Sequence, residues 1–363
     1  MRSSSDRPTG RVVTSLVAAL TALLLVAAAA VTVRTTAGPS TLAFIGGGGR
    51  MSAPGADPAT TAPAANRGPL SNPVSLDATL AAAGTPVPPG ADLYAARLGK
   101  DPGGTTYDDY VAGGGALGSA FWPASSIKVL AAVGALEHLG AMGYTGAATV
   151  TFADSGESST VRAIYDAAIR RSSNADYDLL VQIAGVDWLN QEFLTPARGF
   201  PVTVIQHSYT VGGMLDSPAI SITEAGRAAT LPARAATQVA ECPAGNCSDL
   251  FEMSESVRRV VMNDEIPVAD RFRIDRADVA GLTDALHGAD GFFAPAIVAV
   301  LGPGTTIYSK PGEVLGRDCL DVTFVQTRTG QRYLLSGTVP EDQGGCDTLV
   351  ALGAQVLRLL TAL

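Results

Sequence analysis

Three short groups of residues in this chain have the types and spacing that acyl transfer through a serine would need. The first is Ser125-Ser126-Ile127-Lys128. On a helix, a spacing of three places Ser125 and Lys128 on one face and within reach of each other. A serine hydroxyl is a weak nucleophile until a neighbouring base takes its proton, and burial lowers a lysine pKa into the range for that task. The second group is Ser172-Ser173-Asn174. Its first hydroxyl could relay a proton to a leaving group and its amide could hold a carbonyl, although Ser and Asn are also ordinary helix caps. The third is Lys310-Pro311-Gly312-Glu313. There a compact cation can orient an anionic group, and glycine lets a substrate approach the backbone closely. The N–H of Glu313, with that of Ser125, could form an oxyanion hole. The candidate roles are Ser125 as nucleophile, Lys128 as its base and Ser172 as proton relay, with Asn174, Lys310, Gly312 and Glu313 as substrate contacts. Each group alone also fits a chance pair, a helix cap or an ordinary strand-to-turn exit.

Lysine usage points to the same places. Of 25 lysines and arginines, only three are lysines, and Lys128 and Lys310 are two of them. Arginine stays charged at any workable pH, whereas a buried lysine can exchange a proton. The third, Lys100, lies in the turn-like stretch Gly99-Lys100-Asp101-Pro102 and reads as a surface residue.

The elements that must position these groups are legible in outline. Ser125–Leu139 is apolar nearly all round and predicts a buried helix starting just after Pro123. Ser159-Thr160 offers an N-cap for a helix through Arg171, and another helix follows Ser172-Ser173-Asn174 and ends at Gly185. Trp188–Leu194 predicts a further helical turn or two, and Thr223–Leu231 and Ser254–Met262 predict helices. Asp92–Leu98 and Tyr107–Val111 predict strands near the start. Thr305–Ser309, Leu320–Thr327 and Arg332–Thr338 predict consecutive strands near the end, with Thr329-Gly330 as a hairpin turn, before a closing amphipathic helix over Asp347–Leu360. Strands at both ends with helices between them indicate an α/β (α+β) fold, with one antiparallel sheet flanked by helices and a helical subdomain over it.

The chain has 363 residues and a net charge of −9, an acidic balance that argues against nucleic acid as a partner. Residues 1–11 carry Arg2, Arg7 and Arg11, and an uncharged apolar run over 12–33 follows. That run is long enough for a transmembrane signal anchor with its N-terminus in the cytoplasm. A cleaved signal peptide, cut near Ala28-Ala29-Ala30, is the competing reading. Residues 34–75 are rich in Ala, Pro and Gly and predict a disordered tether, which leaves 76–363 as the folded domain. An extracytoplasmic location, anchored or secreted, follows. Outside the cytoplasm an even number of cysteines favours disulfides. Of the three pairings open to four cysteines, Cys242–Cys247 with Cys319–Cys346 is preferred. A zinc site is not indicated, because His138, His207 and His287 are scattered along the chain. Gly113–Gly118 fits G-x-G-x-x-G without a βαβ unit around it and reads as a glycine-rich loop.

Taken together and in this order, the three groups resemble the penicillin-binding protein and serine β-lactamase superfamily, whose signature is S-x-x-K, S-x-N and K-T-G. Phe121-Trp122-Pro123-Ala124-Ser125-Ser126-Ile127-Lys128 is similar to the family's nucleophile segment, and Ser221-Ile222-Thr223-Glu224-Ala225 to a later helix start. The resemblance covers roughly Asp92 to Leu363. It implies a β-lactamase/transpeptidase-like fold, an acyl-serine mechanism without metal or organic cofactor, and bacterial D-alanyl peptides or β-lactams as substrates. A class A-type β-lactamase and a catalytically degenerate cell-wall binding domain are the alternatives.

Two departures matter. Pro311 replaces the threonine whose hydroxyl helps hold the substrate carboxylate. Class A β-lactamases also carry an E-x-x-L-N segment whose glutamate activates the deacylating water. The corresponding region here, Gly199–Gly213, has no acidic residue. His207 is the candidate base within it.

Overall fold

The computed structural model describes residues 70 and 72–362, apart from 103, 243 and 244. The expected cytoplasmic segment, the apolar span over 12–33 and all but the end of the tether lie outside the described residues. Along the chain come strand β1 (Val74–Ser75), helix α1 (Asp77–Ala82), strands β2 (Asp92–Asp101) and β3 (Gly104–Ala112), and a 3-10 turn (Ala124–Ile127) that runs into helix α2 (Lys128–Ala141). Strands β4 (Thr149–Phe152) and β5 (Ser158–Thr160) and helices α3 (Val161–Arg170), α4 (Asn174–Ala184) and α5 (Val186–Trp188) follow. Next are strands β6 (Ile220–Glu224) and β7 (Arg227–Leu231) and helices α6 (Leu250–Val261), α7 (Arg276–His287) and α8 (Ala294–Leu301). The chain closes with strands β8 (Thr306–Ser309), β9 (Gly312–Val314), β10 (Asp318–Gln326) and β11 (Arg332–Pro340) and helix α9 (Gly345–Ala362).

The main sheet runs in the order β1-β3-β2-β11-β10-β8, with β9 also paired to β10. It is antiparallel except for β1, which lies parallel to β3. Strand residues alternate between its two faces. Tyr94, Ala96, Phe324 and Leu334 join the core built with α2, α3, α4 and α6. Leu93, Ala95, Val325 and Leu335 face the other way, towards Leu80 of α1, Ile297 of α8 and Leu349, Leu352 and Val356 of α9. Helix α2 is buried on all sides, as its composition predicts. Thr160 caps α3 by accepting from Ala163 N, and Ser173 caps α4 by accepting from Asp176 N. These caps set where α3 and α4 start.

Two expectations are corrected. The helix expected over Thr223–Leu231 is the hairpin β6–β7, turned by Ala225 and Gly226 at φ 50° and 80°. Ile220 and Ile222 point inward and Ser221 and Thr223 outward, a period of two rather than 3.6. The stretch similar to a helix start is therefore strand. That hairpin joins β4 and β5 in a second sheet of order β5-β4-β6-β7, so the fold has two sheets, not one.

Candidate active site

The 3-10 turn lifts Ser125 to the end of the central helix, and Lys128 begins the helix proper, where its side chain is wholly buried. Ala124, just before Ser125, is held at φ 45° and Ser172 at φ 56°. Both are uncommon for residues with a Cβ and mark a backbone constrained by its surroundings. Lys128 Nζ lies 2.9 Å from Ser125 Oγ, 2.5 Å from Ser172 O, 2.7 Å from Asn174 Oδ1 and 3.4 Å from Ser172 Oγ. The two carbonyl oxygens can only accept. A neutral amine therefore spends its two N–H bonds on Ser172 O and Asn174 Oδ1, and its lone pair is left for the Ser125 hydroxyl. Asn174 thus helps to orient the Lys128 amine, a role its residue type alone did not indicate.

Lys310 is also wholly buried and donates to Ser172 Oγ at 2.9 Å and to Pro311 O at 3.0 Å. The two lysines therefore converge on one serine hydroxyl. Burial lowers the Lys128 pKa from 10.5 to about 7, against the opposing pull of the Asp178 and Asp176 carboxylates. Burial likewise lowers Lys310 to about 7, aided by the charge of Lys128 and opposed by Asp321.

Pro311 does not break the edge strand. Ser309 faces Thr323 and Gly312 faces Leu320, so the register on β10 continues from β8 into β9 without a slip. Lys310 N donates to Val322 O at 2.9 Å, so amides alternate and position 311 faces away from β10, where no ladder bond is lost. Glu313 N has the same parity and points to the open side. A Cβ added to Gly312 would lie 3.2 Å from Ser125 N and 3.0 Å from Ala124 Cβ, so this glycine lets the edge strand close on Ser125. All of the expected site residues, Ser125, Lys128, Ser172, Asn174, Lys310, Gly312 and Glu313, are thereby gathered at one sheet edge.

His207 lies beside Trp122. Its ring packs edge-on against the indole, and its backbone N–H donates to Asn246 Oδ1 at 2.9 Å. The residue of that segment which reaches the backbone next to Ser125 is Tyr209, whose hydroxyl donates to Ala124 O at 2.6 Å. Its ring centre lies 5.7 Å from Lys128 Nζ and stacks on Tyr177 at 4.4 Å. Asp178 fixes this turn by accepting from Ser208 Oγ at 2.6 Å, Tyr209 N at 2.8 Å and Thr210 N at 3.2 Å. Further upstream, Glu252 accepts from Val202 N and Thr203 N, and Asn246 from Gln206 N. Side-chain acceptors, more than regular structure, therefore shape the segment. Sequence reasoning missed Tyr209 and Asp178. The available signal was an acid on the buried face of a helix, four residues after Asn174.

The disulfides Cys242–Cys247 and Cys319–Cys346 are formed as expected. Cys247 pairs with Val204, which seats the first disulfide against the same segment. Among the described residues, no group of three or more His, Cys, Asp or Glu is placed to hold a metal.

No protein-family model and no curated protein sequence matches this chain. Solved structures do. A class A β-lactamase from Mycobacterium abscessus superposes with a TM-score of 0.54 at 18% identity, covering 78% of this chain and 99% of that one. A mutant of the last common ancestor of Gram-negative bacteria class A β-lactamase gives 0.55 at 14% identity, covering 79% and 98%. A mutant of PBP-A, solved as an acyl-enzyme complex with penicillin G, gives 0.52 at 18% identity, covering 75% and 90%. At these identities the likeness is one of fold.

Proposed function

We propose that this chain, which has the fold of the penicillin-binding protein and serine β-lactamase superfamily, is an extracytoplasmic serine acyl-transfer enzyme acting on D-alanyl peptides or β-lactams. The observation that carries the reading is the placement of the Lys128 amine, whose lone pair has Ser125 Oγ as its remaining partner at 2.9 Å. In acylation Lys128 takes the Ser125 proton as Oγ attacks the substrate carbonyl. The N–H groups of Ser125 and Glu313 receive the oxyanion. Ser172 gives its proton to the leaving nitrogen as the C–N bond breaks, and the Lys128 ammonium returns a proton to Ser172. Lys310 supplies the cation that would meet a substrate carboxylate. Two disulfides support a location outside the cytoplasm, and the apolar run at 12–33 supports attachment to a membrane or secretion.

The class A-type β-lactamase reading is supported by the neighbours named above and weakened by the lack of a carboxylate in Gly199–Gly213. Incubation with a fluorescent penicillin followed by intact-mass measurement tests acylation. An adduct on the wild type that is lost in Ser125→Ala is expected. No adduct on the wild type would sink the proposal and leave a binding domain. Rapid nitrocefin turnover would instead favour the β-lactamase.

A further inference from the structure

The geometry points to Tyr209 as a barrier that keeps water off the flank of the acyl-serine facing the 199–213 segment, so that the acyl group leaves Ser125 for an amine more readily than for water. This rests on the acyl-serine reading above and concerns what happens after acylation. Hydrolysis needs a water beside the acyl carbonyl and a base beside that water. Lys128 is the nearest base, and its amine is already ringed by Ser125 Oγ, Ser172 O and Asn174 Oδ1. The flank facing the 199–213 segment is covered by the Tyr209 ring, centred 5.7 Å from Nζ.

Tyr209 is itself a poor base. Its hydroxyl proton is committed to Ala124 O, and burial raises the phenol pKa above its usual value. Nor is the ring free to swing aside. It stacks on Tyr177, whose hydroxyl accepts from Asn246 Nδ2 and donates to His207 O. The turn at Tyr209 is gripped by Asp178, which accepts from the Ser208 hydroxyl and the N–H groups of Tyr209 and Thr210 and acts as the positioning residue.

Elsewhere the cleft is more open, because Asn174 is exposed and Ser172 is partly so. An amine entering there retraces the path of the departing one. Its nitrogen attacks the acyl carbonyl and passes a proton to Ser172. Lys128 relays a proton to Ser125 Oγ as the C–Oγ bond breaks, which leaves a new amide and the free serine.

The test starts from the adduct formed with fluorescent penicillin and from a thioester acyl donor, with D-alanine as the amine probe. If no adduct forms on the wild type, the acyl-serine reading has failed and Tyr209 is not at issue. With an adduct in hand, the wild type is expected to lose it slowly and to convert the thioester mainly to the D-alanine amide. Tyr209→Ala is expected to shed the adduct at least ~10-fold faster and shift thioester products to the free acid, whereas Tyr209→Phe, which keeps the ring, stays within ~3-fold. Asp178→Asn should shift the product ratio the same way as Tyr209→Ala. An unchanged lifetime and product ratio in an acylation-competent Tyr209→Ala would overturn the proposal. So would a wild type that hydrolyses its adduct within seconds, and that result needs no variant to fold.

Discussion

The pH dependence of acylation follows from the two buried amines. With a pKa of about 7, Lys128 is neutral in about half the molecules at pH 7 and about a tenth at pH 6; at the ordinary 10.5 it would be neutral in only about 0.03% at pH 7. Burial therefore raises the population of working base by more than a thousandfold, on the order of 10³. Lys310 must do the opposite, because it can meet a carboxylate only while charged, and it too titrates at about 7. Both amines lie on Ser172 Oγ, at 3.4 and 2.9 Å, so their titrations are coupled and the apparent values belong to the pair. The competent form carries one proton, on Lys310. The second-order rate constant for acylation by fluorescent penicillin, measured by quenched flow from pH 5 to 10, should be bell-shaped with its maximum near pH 7. It should fall about tenfold per unit on the acid side. Lys310→Arg, charged throughout, should lose the alkaline limb and keep the acid one. A flat profile from pH 5.5 to 8.5, or an acid limb with its midpoint near 10, would refute the assignment of Lys128 as a base held neutral by burial.

Other outcomes follow from the same geometry. Ser172→Ala removes the relay and the oxygen that Lys310 donates to, so acylation should fall by about 10²–10⁴ while a slow adduct on Ser125 persists in mass spectra. The folded-state pKa of Lys128 lies below its unfolded value, so wild-type stability is lost as pH falls from about 10.5 to about 7. Lys128→Met removes that cost and should melt several degrees above wild type at pH 7. The gap should close or reverse by pH 10, and a constant gap across that range would contradict the linkage. Pro311→Thr restores a hydroxyl beside Lys310, so KM for donors bearing a free carboxylate should fall severalfold with kcat little changed. Donors with an esterified carboxylate serve as the control.

Much of the site was legible because its chemistry constrains residue type. Lysine is scarce, and the two lysines that matter stand next to a serine and a glycine at fixed spacings. The caps Thr160 and Ser173 could be read because a capping hydroxyl sits immediately before an apolar, helix-periodic run. The β6–β7 hairpin was missed for the converse reason. Thr223 followed by Glu224 looks like a helix start when the alternating burial of Ile220 and Ile222 is not known. Tyr209 carries no motif. It reaches Ala124 only because Asp178, Asn246 and Glu252 supply the hydrogen bonds that fold a segment without regular structure, and those partners come from two helices and a loop distant in sequence.

Pro311 separates what a motif encodes from what a strand tolerates. Lys310 N bonds to Val322 O, which fixes the parity, so the N–H that proline lacks would have pointed away from β10. The sheet loses nothing by the substitution, and Gly312 still closes on Ser125 N. In the proposed reaction the consequence falls on the substrate instead. A carboxylate arriving at this edge meets the Lys310 ammonium without the hydroxyl that a threonine would have offered beside it. Binding there must then depend more steeply on the charge of Lys310, and the alkaline limb of the acylation profile measures that dependence.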